Sequence, residues 1–182
     1  ERTRREEFLR HAHRWDIKFN IKIGAKKDGM LTAITQQAIV NIGAAASEFN
    51  YYPISINWHT SNLYACPNVE LEQTGVFTNL QLTGPTRAPF NMATIFVLES
   101  HMDKLAYRLG MDPLELRLKN YTDVGRTHLA PAFYGQEVNM PFASKKLDEC
   151  MKWVAEAIGW ERRKDLNRSL EGNKRRGIGM SA

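Results

Sequence analysis

The stretch TRAPFNMATIFVLESHMDKLAYRLGMDPLELRLKN, residues 86–120, decides the fold of the second half of the chain. Its apolar residues recur at helical spacing and predict one long amphipathic helix that ends at Gly110 as its C-cap. A second helix is predicted to follow, because Asp112 suits an N-cap, Pro113 the first helical position and Glu115 the reciprocal capping-box position. The apolar stripe of the long helix comprises Met92, Ile95, Phe96, Leu98, Met102, Leu105 and Leu109.

The hexapeptide GPTRAP, residues 84–89, lies directly in front of the long helix. Pro85 and Pro89 fix two backbone φ angles and push the residues before them, Gly84 and Ala88, towards extended conformations. The backbone N–H groups between the two prolines would then lie at a helix N-terminus, a position that favours oxyanions. An arginine there adds a bidentate donor. The hexapeptide is therefore either an anion-binding turn or a stiff connection into the helix.

Upstream of this turn, the apolar period changes to that of β-strands. Alternation predicts a half-buried strand around residues 16–23, and Asp28-Gly29 is the signal of a tight hairpin turn. A return strand is predicted over about 30–42, and a third strand over 69–78. The inward residues of the return strand are Ile34, Ala38, Val40 and Ile42.

Other segments complete the predicted organisation. Residues 4–11 are predicted to form a short helix with Phe8 and Leu9 on its inner side, and a final helix is predicted to run from about Ser144 to Gly159. The small residues of 43–47 either leave room for another segment to approach closely or simply pack. The loop at 122–142 is long enough to suggest function or docking on a partner surface.

Strands followed by helices predict an α+β fold with an antiparallel or mixed sheet. We expect residues 1–182 to form a single partial domain, in which 1–83 are mainly strands and 84–182 mainly helices. The chain does not begin with Met, and its last residues resemble the start of a strand. We therefore expect it to be a piece of a longer polypeptide.

Composition excludes several classes of protein. With 43% hydrophobic and 25% charged residues, the chain reads as soluble and globular, and no apolar run approaches a membrane span. The net charge is +5, but the basic residues are interspersed with acidic ones, which argues against nucleic acid as a partner. The two cysteines and five histidines form no metal or iron–sulfur motif. Glu99 and His101, close together in the long helix but pointing in different directions, are predicted to be structural.

The 86–120 stretch resembles the molybdenum-binding subunit of the molybdenum hydroxylases, a family that includes xanthine dehydrogenases, aldehyde oxidases and bacterial aldehyde dehydrogenases. Matching segments elsewhere extend the resemblance over almost the whole chain, in order: RREEFLRHAHR (4–14), IKIGAKKDGMLTAI (21–34), NLYACPNVELEQTGVFTN (62–79) and PFASKKLDECMKWVAEAIGW (141–160). The turn is most similar to that of the aldehyde-oxidising branch. The sequence departs from this branch at Phe90, where a glycine is common.

The resemblance implies a cofactor and its site residues. Molybdopterin, including its cytosine dinucleotide form, would contact the turn at Thr86, Arg87 and Ala88. The substrate pocket would include Ala46, Pro89 and Phe90, although the Phe90 side chain could equally point into the helix packing. The catalytic glutamate is expected downstream of Ala182 and a glycine-rich cofactor segment upstream of Glu1, so this chain itself would supply no catalytic residue and no direct metal ligand.

The resemblance also implies partners and a reaction. Iron–sulfur clusters and FAD would lie on other domains or subunits, and an aldehyde would be hydroxylated to a carboxylic acid with water as the oxygen source. Purine-oxidising relatives place an arginine at or next to the position of Ala46 and a phenylalanine at the position of Pro89, and residues 43–52 contain no arginine. The alternatives are a xanthine dehydrogenase-like or other N-heterocycle hydroxylase and a non-catalytic interaction domain. The expected compartment is the cytoplasm, with the periplasm as the alternative.

Overall fold

The computed structural model describes residues 1–10, 12–45, 60, 63–121, 146–166 and 170–182. The predicted positions at Ala46 and in the 122–142 loop lie outside these described residues, as does the predicted helix start at Ser144. The elements, in chain order, are α1 (Arg4–Arg10), β1 (Ile17–Ala25), β2 (Leu31–Gly43), β3 (Val69–Phe77), α2 (Asn91–Leu109), α3 (Pro113–Lys119), α4 (Leu147–Ile158), a 3-10 turn (Trp160–Arg162), α5 (Arg163–Leu166), β4 (Leu170–Glu171) and β5 (Lys174–Arg175).

The main sheet is mixed and has the strand order β1-β2-β3. β1 and β2 form the predicted antiparallel hairpin, whereas β3 pairs parallel to β2. At the hairpin turn the Asp28 carboxylate accepts a hydrogen bond from the Met30 N–H at 3.0 Å. The inward face of β2 is as predicted, because Ile34, Ala38, Val40 and Ile42 are all buried. The predicted α+β fold with a mixed sheet is thus confirmed.

Helix α2 packs on the sheet and closes the main core. The buried residues of the core are Leu31, Ile34, Tyr64, Cys66, Leu98, Met102, Ala106 and Leu116. The predicted stripe of α2 was too wide, because Met92 and Phe96 remain 60% and 72% exposed. The sheet and α3 cover only part of the apolar surface of the helix. The inward placement of Phe8 and Leu9 in α1 was also wrong, since both side chains are more than 60% exposed.

The junction between α2 and α3 follows the predicted pattern at Gly110, Asp112 and Pro113, but the described residues show no reciprocal hydrogen bond from the Asp112 N–H to the Glu115 side chain, so the capping box is not complete. Gly110 ends α2 with a φ of 68°, and Asp112 caps α3 by accepting hydrogen bonds from the N–H groups of Leu114 and Glu115. The Asp112 carboxylate also accepts hydrogen bonds from the Trp160 indole and from Arg163. One cap thereby ties the segment after α4 to the start of α3.

Asn120, at the end of α3, fastens this helix to the β1–β2 hairpin. Its side chain is buried, its Oδ1 accepts from the Leu31 N–H at 2.9 Å, and its Nδ2 donates to the Gly29 carbonyl at 2.9 Å. The same Nδ2 donates to the Leu116 carbonyl. Because these hydrogen bonds are buried, the asparagine supplies partners that the hairpin turn cannot provide for itself.

A buried charge network joins α2 to α3. Arg117, which is fully buried, donates from Nε to Glu99 Oε2 at 2.8 Å and pairs through Nη1 with Asp103 at 2.8 Å. The Tyr64 hydroxyl donates to Glu99 Oε1 at 2.6 Å. Burial raises the pKa of Tyr64 and the negative charge of Glu99 raises it further, so the phenol keeps its proton and donates it. Glu99 is structural, as predicted, and His101 bonds separately to the Val97 carbonyl.

Candidate functional site

The 84–90 turn is held in place by residues that lie far from it in sequence. The Gly84 N–H donates to the His13 carbonyl at 2.9 Å, and the His13 N–H donates to the Leu82 carbonyl at 3.3 Å. The Thr83 hydroxyl donates to the Asn41 carbonyl, near the end of β2, at 3.1 Å. The segment before β1 and the end of β2 therefore fix where the turn begins.

Gly43, the last residue of β2, allows the closest of these approaches. Its φ is 78°, and a Cβ built on it would lie 2.5 Å from the Gln81 carbonyl oxygen and 2.8 Å from the Leu82 Cα. The Ala44 N–H donates to the Leu80 carbonyl at 3.1 Å in the same place. The small residues at 43–47 were expected to let another segment approach closely. At Gly43 the approaching segment is residues 80–82, which lead directly into the 84–90 turn.

Phe90 forms the base of the turn. Its side chain is 2% exposed and stacks on Trp15, with ring centroids 3.9 Å apart. It is the N-cap of α2 and adopts a left-handed φ of 61°, a conformation that favours glycine and disfavours bulky residues. The sequence left two orientations open for the Phe90 side chain, towards the pocket or into the helix packing. In the structure the side chain points into the packing, against Trp15. Only its backbone remains available to a pocket.

The backbone before Phe90 also differs from the expectation. Ala88 precedes a proline and was predicted to be extended, but its φ is 54°. A residue before proline avoids the right-handed helical region, and Ala88 adopts the left-handed region in place of the expected extended conformation. Two left-handed residues, Ala88 and Phe90, flank Pro89 and turn the chain sharply into α2.

The turn presents several hydrogen-bond donors without partners in the described part of the chain. The N–H groups of Thr86, Arg87 and Ala88 make no hydrogen bond there, and the Thr86 Oγ1 is buried without a partner. The Arg87 side chain is exposed, while its carbonyl accepts from Arg14 Nη2 at 3.2 Å. Buried hydroxyl groups in proteins are normally hydrogen-bonded. The donors therefore fit a ligand that carries oxygen acceptors and docks on this turn.

The structure thus brings together Thr86, Arg87 and Ala88, with the half-buried Pro89 beside them. Sequence reasoning missed Trp15 and Arg14, which support the turn, because they are more than 70 residues away from it in the chain. The His13–Thr83 bridge that aligns the two segments leaves no local sequence pattern. In the described residues, no group of three or more His, Cys, Asp or Glu side chains could hold a metal ion, and no helix could cross a membrane.

The comparison with protein families identifies the class of protein to which this fold and turn belong. Residues 1–121 match the family described as the molybdopterin cofactor-binding domain. The chain therefore belongs to this family, whose members include the molybdenum-binding subunits of the molybdenum hydroxylases.

Particular relatives agree with this assignment. The chain is 36% identical over 121 residues to a probable xanthine dehydrogenase subunit of Bacillus subtilis (strain 168), covering 65% of this chain and 16% of the relative. It is 31% identical over 166 residues to the nicotinate dehydrogenase large molybdopterin subunit of Eubacterium barkeri, covering 88% and 37%. It shares the fold of the aldehyde oxidoreductase from Desulfovibrio gigas, with a TM-score of 0.70, 24% identity and coverage of 87% and 16%. The chain thus spans well under half the length of these relatives.

Proposed function

We propose that this chain is the part of a molybdenum-cofactor oxidoreductase that holds the cofactor at the 84–90 turn, and that the whole enzyme hydroxylates aldehydes to carboxylic acids with water. The observation that carries the proposal is the set of unpartnered donors at Thr86, Arg87 and Ala88 in a chain of the molybdopterin cofactor-binding family. When bound, the molybdenum cofactor supplies the redox chemistry of the hydroxylation.

The residues of the chain would bind and orient this group. The N–H groups at 86–88 and the Thr86 hydroxyl would donate to its oxygen atoms, because no described residue accepts from them. The Arg87 guanidinium would add a charge-assisted donor, and the Arg14 bond to the Arg87 carbonyl would fix the backbone that carries it. The Trp15–Phe90 stack beneath the turn would keep these donors oriented before the cofactor binds.

The aldehyde assignment rests on the expected shape of the substrate wall, for which the sequence gives two arguments. The 43–52 segment carries no arginine that could bind a purine ring, and Pro89 stands where purine-oxidising relatives carry a phenylalanine. Phe90 does not replace that aromatic ring, since its side chain is buried against Trp15. A pocket that lacks this hydrogen-bonding arginine no longer favours a polar purine ring over an apolar substrate.

The second candidate is hydroxylation of an N-heterocycle. It is favoured by the likeness to the nicotinate dehydrogenase subunit, which extends over 88% of this chain. Both reactions would use iron–sulfur and flavin partners on other domains or subunits as the route for electrons. The cofactor form, including the cytosine dinucleotide, would be identified from the nucleotide released by the denatured enzyme.

Substrate preference separates the two candidates. We expect kcat/KM of the whole enzyme to be higher for benzaldehyde than for xanthine or nicotinate, because the wall lacks a donor for a polar ring. Steady-state rates measured on one preparation with a common artificial electron acceptor provide the comparison. Equal or better efficiency on xanthine or nicotinate would contradict the aldehyde assignment and support the second candidate.

Arg87→Ala tests whether the turn holds the cofactor. Loss of charge-assisted hydrogen bonds costs about 1.5–3 kcal/mol, so molybdenum occupancy or kcat/KM of the whole enzyme should fall by about one to two orders of magnitude. Arg175→Ala, which removes an exposed arginine from β5, is the matched control and should change neither quantity. Metal content by mass spectrometry is the primary readout. Unchanged metal content together with unchanged turnover in Arg87→Ala would mean that the turn is only a stiff connector.

A further inference from the structure

A basic cleft lies between strand β1 and helix α2, far from the turn. We define it by Ile21 and Ile23, on the strand, and by His101, Lys104 and Arg108, on the helix; its volume is about 330 Å³. The side chain of Lys22 is not counted as one of its cations, because alternation along β1 directs it to the other face of the sheet, which carries Glu70 and Glu72. Ile23 and Leu105 contribute apolar surface to the same cleft. Pockets that take small ligands commonly begin at about this volume and combine apolar walls with a few polar groups.

The cations of the basic cleft lack counter-charges. Within the described residues, Lys104 and Arg108 form no ion pair, whereas the buried Arg117 and Arg163 are both paired with carboxylates. The two like charges, four residues apart on one side of α2, repel each other, and an anion between them would remove that repulsion. The arrangement is therefore complementary to a ligand of negative charge.

The imidazole of His101 adds a directed polar group. Its Nδ1 lies 2.8 Å from the Val97 carbonyl oxygen, so this nitrogen is engaged within the helix. A carbonyl only accepts, so Nδ1 carries the proton in the neutral ring and Nε2 is an acceptor. The Nε2 has no hydrogen-bond partner among the described residues, and it would contact an anion through a water molecule or a protonated oxygen of the ligand. His101, Lys104 and Arg108 are spaced three and four residues apart, which places them along one side of α2.

The basic cleft is separate from the 84–90 turn. His101 and Arg108 follow Phe90 by 11 and 18 residues in the same helix. At a rise of 1.5 Å per residue, the cleft lies about 16–27 Å along the axis from the start of α2. The donors at Thr86 and Arg87 therefore cannot contact a small molecule bound in the cleft.

We propose that the basic cleft binds a small, multiply charged anion of the phosphate class, with diphosphate as the simplest member. The guanidinium of Arg108 can hold one phosphoryl group through two parallel hydrogen bonds, while the ammonium group of Lys104 acts as a point charge on the other phosphoryl group. Lys104 and Arg108 are about 6 Å apart along the helix axis, a separation that suits two linked phosphoryl groups better than a single small anion.

Isothermal titration of the whole protein with inorganic diphosphate at low salt tests the proposal. We expect saturable binding at one site, and we expect Lys104→Gln/Arg108→Gln to weaken it by about tenfold or more for each charge removed. Both side chains lie on the helix surface outside the turn, so the double variant should fold and retain its metal. The matched control is Lys174→Gln/Arg175→Gln, which removes two exposed charges from β5 and should leave diphosphate binding unchanged.

Two results would overturn the proposal. The first is the absence of saturable diphosphate binding by the unaltered protein. The second is an equal loss of affinity in the two double variants, which would show that diphosphate responds to net charge and not to this cleft. His101→Gln tests the imidazole separately, because this substitution leaves the charges of Lys104 and Arg108 in place. Unchanged affinity in this variant would remove His101 from the site.

Discussion

Replacing Arg117 by methionine is expected to cost about 3–5 kcal/mol of local stability, the largest effect of any substitution considered for this chain. The guanidinium is completely buried and contacts Glu99, Asp103 and the Pro113 carbonyl. Methionine fills a similar volume but provides no donor. The carboxylate of Glu99 would then be left buried without its cationic partner.

The contrast between the partners of Arg117 is the basis of a matched control. The Asp103 side chain is 50% exposed, whereas that of Glu99 is only 6% exposed. Water can replace the partner of Asp103 but not that of Glu99, so Asp103→Asn should cost less than about 1 kcal/mol. Adding Glu99→Met to Arg117→Met should recover part of the loss, because the unpaired charge is then gone. Burial alone would lower the pKa of Arg117, but the negative charges of Glu99 and Asp103 and the hydrogen bond to Glu99 raise it, so the arginine is charged at every accessible pH.

Amide hydrogen exchange in the whole protein measures this local stability without requiring two-state unfolding. Amides of α2 and α3 should lose about two to four orders of magnitude of protection in Arg117→Met. Exchange in the β1–β2 hairpin of the same sample serves as an internal reference. If Arg117→Met and Asp103→Asn reduced protection equally, the buried pair would not be the main connection between the two helices.

The local parts of this structure were predictable because their causes lie within a few residues. The Gly110 end of α2 and the Asp112 cap follow from residues that adjoin the helices, and both were confirmed. The inward face of β2 follows from alternation in its own sequence. The additional partners of Asp112, Trp160 and Arg163, were not predictable, since they lie 48 and 51 residues further along the chain.

The candidate site shows the same division. A turn rich in donors was expected from two prolines and an arginine, and the unpartnered groups at 86–88 are consistent with it. The left-handed backbone of Ala88 and Phe90 was not foreseen, because proline rules describe one residue at a time. The conformation depends on tertiary support from Trp15, and this stack compensates for placing a phenylalanine where the backbone favours glycine. The assignment of Thr86, Arg87 and Ala88 to the cofactor stays a prediction.

Gly43→Ala carries the second largest expected effect and connects stability to the candidate site. The left-handed φ of Gly43 alone costs an alanine about 1–2 kcal/mol. In addition, the new Cβ would lie 2.5 Å from the Gln81 carbonyl oxygen, a backbone atom that cannot rotate away. Overpacking of this kind adds about 1–3 kcal/mol, for a total of about 2–5 kcal/mol.

Gly110→Ala separates these two causes. Gly110 has a similar φ of 68°, but nothing lies within 4 Å of its missing Cβ, so alanine there should cost only the backbone part. The loss of stability in Gly43→Ala beyond that in Gly110→Ala then measures the clash with Gln81 and Leu82, which lead into the turn. Hydrogen exchange at β2 and β3 for the first variant, and at the end of α2 for the second, gives the two values.

The position of the clash also predicts a functional consequence. Gln81 and Leu82 directly precede Thr83 and Gly84, whose hydrogen bonds to Asn41 and His13 fix where the turn begins. If Gln81 and Leu82 move away from the new Cβ, they displace Thr83 and Gly84 and thereby the start of the turn. Donors displaced by about 1 Å bind a rigid ligand poorly. Gly43→Ala should therefore lower molybdenum content in the whole enzyme, whereas Gly110→Ala should leave it unchanged. Full metal content in a folded Gly43→Ala variant would mean that the cofactor does not depend on the placement of this turn.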